Sequence, residues 1–158
     1  MPEGTTLAGQ ALDDPFAWAL DQAALLRRGA ALAVSGRGAL GDFLEAWAAE
    51  LLATVRSQIV NLLAHAAKVA TTRNPGVIGH WRSECVEFHD KLVDLYRPSM
   101  RDKIDLDMLW RRAQRKVFAS FEDHSEPRPR LPARCPIALD DLLEEALDLD
   151  RLVDSFRN

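Results

Sequence analysis

Residues 42–70 read DFLEAWAAELLATVRSQIVNLLAHAAKVA. Leu44, Trp47, Leu51, Val55, Ile59, Leu62, Ala66 and Val69 recur here at steps of three and four. That spacing stacks side chains on one face of a helix. A second apolar row, Phe43, Ala48, Leu52, Val60, Leu63 and Ala67, widens the face. A helix with so broad an apolar surface must touch more than one neighbour. The stretch therefore predicts a long central helix in an all-α fold. Thr71-Thr72-Arg73-Asn74-Pro75-Gly76 ends it.

The flanking segments agree. Asp13-Asp14-Pro15 reads as a helix start, with an Asp cap and Pro in the first turn. Phe16, Ala19, Leu20, Ala23 and Leu26 follow at helical spacing up to Gly29. The glycine-containing stretch from Ala30 to Gly41 reads as a connector or a weak helix. Ile78, Trp81, Cys85, Phe88, Leu92 and Leu95 mark the next helix. A fourth is expected from about Ser99 to Glu122, with Ile104, Leu109, Ala113, Val117 and Phe121 on one face. Residues 127–136 hold four of the chain's eight prolines. Proline fixes φ and removes a backbone donor, so this segment is an extended strap. Leu139, Leu142, Ala146, Leu149, Val153 and Phe156 then predict an acidic C-terminal helix over 139–157.

The expected architecture is roughly five helices in an antiparallel bundle, with the Pro-rich strap before the last helix. Residues 1–12 read as a loose N-terminal tail and 13–158 as a single helical domain.

Composition narrows the function classes. The chain has 158 residues, 47% hydrophobic and 28% charged, with a net charge of −4. That balance is globular and does not favour a general polyanion or membrane-surface binder. The near-neutral total hides an asymmetry. Residues 1–96 carry 8 basic and 11 acidic groups, residues 97–134 carry 10 and 6, and residues 135–158 carry 2 and 7. The basic fourth helix could pair in cis with the acidic last one, or each could seek a partner. Two cysteines are too few for a disulfide framework. No signal peptide and no spanning segment is read, so a cytoplasmic location is expected.

Several blocks, in order, resemble one known family. They are Asp14-Pro15-Phe16-Ala17-Trp18 with Leu25-Leu26-Arg27, then Leu62-Leu63-Ala64-His65-Ala66-Ala67-Lys68, then Trp81-Arg82. Pro98-Ser99-Met100-Arg101 and Cys135-Pro136-Ile137-Ala138-Leu139-Asp140-Asp141-Leu142-Leu143 complete the series. Over roughly residues 13–147 the chain resembles the DUF29 family of bacterial helical proteins. The resemblance implies an all-α fold and no activity, because that family's function is unknown. The chain departs from the family pattern at Ala39-Leu40-Gly41-Asp42-Phe43, which lacks an Asn and one acid. It departs again at Ser83-Glu84-Cys85 and Phe88-His89, where relatives carry Thr-Ile and Gln-Arg.

The candidate site residues are few. His65 and Lys68 lie one turn apart within the apolar rows. They are the catalytic candidates, as a general base and its neighbour in a bundle pocket; the alternative is a hydrogen-bonded structural histidine. Trp18, Trp81 and Arg82 are the ligand-binding candidates, with core anchoring as the simpler reading for Trp81. His80, Glu84 and Glu87 share a polar face and read as solvated. No metal set and no cofactor motif is found. Arg111, Arg112, Arg115 and Lys116 form a basic stripe that could grip phosphates. A solvated face, or one paired with the acidic last helix, is the favoured reading, and nucleic acid is disfavoured.

The leading functional expectation is a non-enzymatic interaction or regulatory protein, binding a protein partner or itself through helical seams. The C-terminal heptad is the first docking element expected. A pocket enzyme near His65, Lys68 and Trp18 is the alternative.

Overall fold

The computed structural model describes residues 11, 13–29 and 37–157, of which 37–39 are described by their backbone alone. The expected tail over 1–12 lies outside the described residues except for Ala11. Among the described residues the helices are α1 (Pro15–Arg28), α2 (Arg37–Thr71), α3 (Pro75–Leu95), α4 (Leu106–Asp123), α5 (Leu139–Leu142) and α6 (Leu149–Asp154). A 3-10 segment, Pro98–Lys103, precedes α4. No strand occurs among these residues, so the fold is all-α. The chain gathers into two compact units. One comprises the residues up to Thr54 together with Arg97–Lys103, and the other Val55–Tyr96 with Ile104 onward.

In the first unit, Asp14 caps α1 by accepting from the Ala17 N–H at 2.9 Å. Its second carboxylate oxygen accepts from the Ser99 hydroxyl at 2.6 Å. Arg97 Nε–H donates to the Asp13 carbonyl at 3.0 Å. The start of α1 is thus tied to the 3-10 segment. Phe16, Ala19 and Ala23 are buried. At the other end of α1, Arg27 pairs with Asp42 at 3.1 Å and with Glu45. Helix α2 begins at Arg37, earlier than its sequence pattern suggests. Gly41, in the stretch read as a connector or a weak helix, is a buried helical residue. A Cβ there would sit 3.7 Å from the Ala23 carbonyl oxygen and 3.9 Å from Leu26 Cβ. Both are ordinary van der Waals distances, so an alanine would fit here and would recover the helix cost of glycine, about 1 kcal/mol.

The second unit holds the larger core. Ile59, Leu62, Leu63, Ala64, Ala66 and Ala67 of α2 are all fully buried. So are Cys85, Leu92, Leu109, Trp110, Ala113 and Val117 of α3 and α4. Contacts give the helix directions. His65 meets Phe88 and Lys68 meets Trp81, so α2 and α3 run antiparallel. Asn61 meets Lys116 and Thr72 meets Glu126, so the chain of α4 runs parallel to α2.

Helix α4 starts at Leu106, not near Ser99. Asp105 caps it by accepting from Met108 N–H at 2.9 Å, which fixes the boundary after the 3-10 segment. It ends in a Schellman motif. Ser125 adopts φ 54, and its N–H donates to the Glu122 carbonyl while Glu126 N–H donates to Phe121. Glu126 then clasps the α2–α3 corner. Its carboxylate accepts from the Thr72 hydroxyl at 2.9 Å and the Arg73 N–H at 3.0 Å.

The strap over 127–136 is non-helical, as its prolines require. Its Pro132 carbonyl accepts from both Trp110 Nε1–H and Gln114 Nε2–H, each at 2.8 Å. Cys135 N–H donates to Asp107 at 3.0 Å.

The acidic segment expected as one helix over 139–157 forms two short helices, α5 and α6. Asp148 interrupts the run by capping α6, accepting from Arg151 N–H at 3.0 Å. The Glu144 carbonyl, freed from helical pairing, accepts from His89 Nε2–H at 3.0 Å. The turn lets Leu142, Leu152, Val153 and Phe156 all reach the core. Phe156 stacks on Trp110 with ring centroids 5.0 Å apart. Three members of the apolar row expected to dock a partner, Leu142, Val153 and Phe156, are therefore buried within the chain.

Ser125 is the one non-glycine residue with positive φ among the described residues. A left-handed C′ position favours glycine. Ser125→Gly is expected to stabilise the protein by about 0.5–1 kcal/mol, read as a raised urea midpoint at unchanged slope.

Candidate functional site

The densest group of ionisable side chains lies between α2 and α3. The long apolar face of α2 carries two polar residues inward. Lys68 is 8% exposed, and its Nζ sits 4.4 Å from the centroid of the Trp81 ring. His65 Nε2 lies 2.9 Å from Glu84 Oε2, while its Nδ1 lies 2.9 Å from the Asn61 carbonyl oxygen. His80 Nε2 approaches the same Glu84 oxygen at 3.4 Å from one turn earlier on α3. Phe88 closes the far side of the imidazole at a centroid distance of 5.1 Å. Cys85 is fully buried in the α3 seam.

These groups have a definite electrostatic order. Both ring nitrogens of His65 face oxygen acceptors, so a neutral ring can donate to only one of them. Protonation would satisfy both. Burial opposes it first and the Lys68 charge second, and together they hold His65 below its ordinary value of 6.5. The Asn61 carbonyl and Glu84 pull the other way without reversing the shift. Burial likewise lowers Lys68, with Glu84 working against it. The face of the Trp81 ring offers the ammonium a partner that needs no proton. Burial pushes the Cys85 thiol up to about 12, which leaves it protonated and a poor nucleophile at neutral pH. Cys135 is pushed up to about 11 by the same cause.

The structure thus brings together His65, Lys68 and Trp81, and adds Glu84 and His80. Glu84, read from the sequence as part of a solvated face, turns toward α2 and is only 30% exposed. The signal was available in its offset from Trp81 and Phe88, which places it beside the seam rather than opposite it. His89 was missed as well. It is 2% exposed and holds the Glu144 carbonyl, continuing the Cys85-to-Leu92 row. Among the described residues no three His, Cys, Asp or Glu side chains are arranged to hold a metal ion.

The remaining candidates lie elsewhere. Trp18 belongs to the first unit, where it lines an open hollow of about 290 Å³ with Asp13, Asp14, Asp21 and Gln22. Its indole Nε1 is buried and has no hydrogen-bond partner among the described residues. Arg82 pairs with Asp150 at 2.8 Å and so ties α3 to α6. Arg111, Arg112 and Arg115 stand exposed on α4, and Lys116 reaches Asn61 Oδ1 at 2.6 Å. The expected pairing of this stripe with the acidic C-terminal segment does not occur among the described residues. Asp141, Asp150 and Asp154 pair with Arg151, Arg82 and Arg157 instead. The chain's turn at Asp148 leaves Asp150 against α3, and Asp141 and Asp154 against arginines of their own segment.

With this geometry in place, residues 12–147 match the family described as domain of unknown function DUF29. The chain belongs to the DUF29 family. It is also similar in fold to an alpha-helical protein of unknown function from Rhodospirillum rubrum, known from a crystal structure. The TM-score is 0.84 at 24% identity, over 91% of this chain and 95% of that one. No curated protein matches the chain. The DUF29 blocks coincide with structural joints of this molecule. Asp14 and Ser99 join α1 to the 3-10 segment. The block around His65 and Lys68 meets the one at Trp81. No helix among the described residues is long and apolar enough to cross a membrane.

The lowered pKa of His65 has a stability consequence. Below 6.5 the unfolded chain takes up a proton that the folded chain refuses, so stability is lost as the pH falls from 6.5 to the lower folded value. A tenfold difference in proton affinity between the two states is worth about 1.4 kcal/mol. Urea unfolding across pH 7.5 to 4.5 is expected to show this decline, and His65→Gln is expected to flatten it.

Proposed function

We propose that this DUF29 protein works by association rather than by catalysis, as a helical interaction protein of a reducing, cytoplasmic setting. The single observation that carries the reading is on α2. Phe43 and Leu40, one turn apart on one face, are 64% and 50% exposed. A third large apolar side chain, Leu25 of α1, is 56% exposed. Neighbouring apolar groups left in water as a contiguous patch, as Leu40 and Phe43 are on one face, commonly mark a contact surface. Arg27, Asp42 and Glu45 supply both charge signs at the edge of the Leu40–Phe43 face. An apolar centre with a rim of both signs is self-complementary, as a two-fold interface requires. We therefore take a second copy of the chain as the partner on this face.

The buried polar group between α2 and α3 supports the same reading. Its cation rests on an aromatic ring and its thiol is held protonated. These groups satisfy one another across a helix interface. Two free cysteines fit a reducing compartment.

Light scattering coupled to size-exclusion chromatography tests the proposal. The full chain is expected to run as a dimer at micromolar concentration, and Phe43→Ser with Leu40→Ser is expected to give a folded monomer. A wild-type chain that stays monomeric to about 100 µM, far above the usual range for a specific dimer, would overturn it.

A further inference from the structure

The outer face of α4 carries charge that the molecule leaves unmatched. Arg111, Arg112 and Arg115 lie opposite the buried row of Leu109, Ala113 and Val117. All three are exposed, and none makes an ion pair among the described residues. Four other arginines, Arg27, Arg82, Arg151 and Arg157, do make ion pairs. A fourth guanidinium joins from the strap. Arg128 lies over the Phe118 ring at 3.8 Å from its centroid, and Phe118 is one turn beyond Arg115. Stacking on the ring holds that planar fork in a set direction.

The size of this basic island selects its partner. Arg111 and Arg115 are four residues apart, which is a rise of about 6 Å along the helix. Carboxylates at i and i+4 on another helix have the same rise. Lys116 borders the island with its ammonium on Asn61 Oδ1, and toward both ends of α4 the sign reverses. Asp105 and Asp107 stand at the start of α4, and the exposed Glu122 and Asp123 at its end. Glu122 follows Arg115 by seven residues and shares its face. A nucleic-acid backbone carries a charge about every 1.7 Å along the duplex and would run on into these acids. A short acidic helix would not. We propose that the Arg111–Arg112–Arg115 face, extended by Arg128, docks an acidic helical segment of a protein partner, with carboxylates spaced three and four residues apart. Guanidinium forks can take such carboxylates two bonds at a time. This surface belongs to the second unit and is independent of the Leu40–Phe43 face.

Fluorescence anisotropy with the full chain tests the assignment. The probe is a labelled, end-capped 18-residue alanine-based helix with glutamates along one face. The comparison probes are a peptide of the same composition with its glutamates spread around the helix, and an 18-base-pair DNA duplex. The one-faced peptide is expected to bind most tightly at low salt. Arg111→Gln with Arg115→Gln is expected to weaken it by about tenfold, the sum of two surface charge contacts. Arg28→Gln with Arg73→Gln removes the same charge elsewhere and is expected to leave binding unchanged. Absent binding, equal binding of the scattered peptide, tighter binding of the duplex, or an equal loss in the control variant would each overturn the proposal. Because Leu40 and Phe43 are untouched by these variants, failure here leaves the self-association result standing.

Discussion

The second half of α2 is buried nearly all round, and the rest of the second unit is organised by that constraint. From Ile59 to Val69, nine of eleven residues are buried. One of the nine is Lys68. A cation removed from water needs a compensating environment, and an unmet one costs several kcal/mol. The compensation comes from α3. Trp81 lies under the ammonium, and Glu84 supplies the nearest opposite charge while also meeting His65. Antiparallel pairing of α2 with α3 places these groups side by side. A register shift by one residue would turn both away.

The remaining joints follow from seating α4 beside this pair. Glu126, just past the Schellman turn, reaches the corner between α2 and α3. The strap then runs back along α4, held at Pro132 by Trp110 and Gln114. One carbonyl can take both donors because its oxygen carries two lone pairs. Phe156 closes over Trp110 from the C-terminal segment. Polar bonds set the geometry at each joint, and apolar burial supplies the driving force.

Much of the fold is legible in the sequence, because three- and four-residue spacing survives wherever a helix buries one face. The rows around Val55 and Leu62, the seam through Trp81 and Cys85, and the prolines of the strap all read directly. The boundaries read less well. Asp105 and Asp148 cap helices inside longer apolar rows, and a row alone does not show that the chain has turned. Gly41 lies in a stretch that reads as a connector or a weak helix, and its contact with Ala23, a tertiary fact, is what the sequence does not show. The polar cluster was half legible. His65 and Lys68 stand out within an apolar row, but Glu84 and His89 depend on which helix arrives opposite. The charge asymmetry was visible too, whereas the unmatched arginines of α4 emerge only once Asp150 is seen to reach Arg82.

The dependence of the core on the Lys68–Trp81 contact is open to direct measurement. A double-mutant cycle of Lys68→Met and Trp81→Leu, read by urea unfolding at pH 7, isolates the pairwise coupling. A favourable coupling of about 0.5–2 kcal/mol is expected, the range for a cation over an aromatic face away from bulk water. Additive single effects, with no coupling, would contradict that dependence.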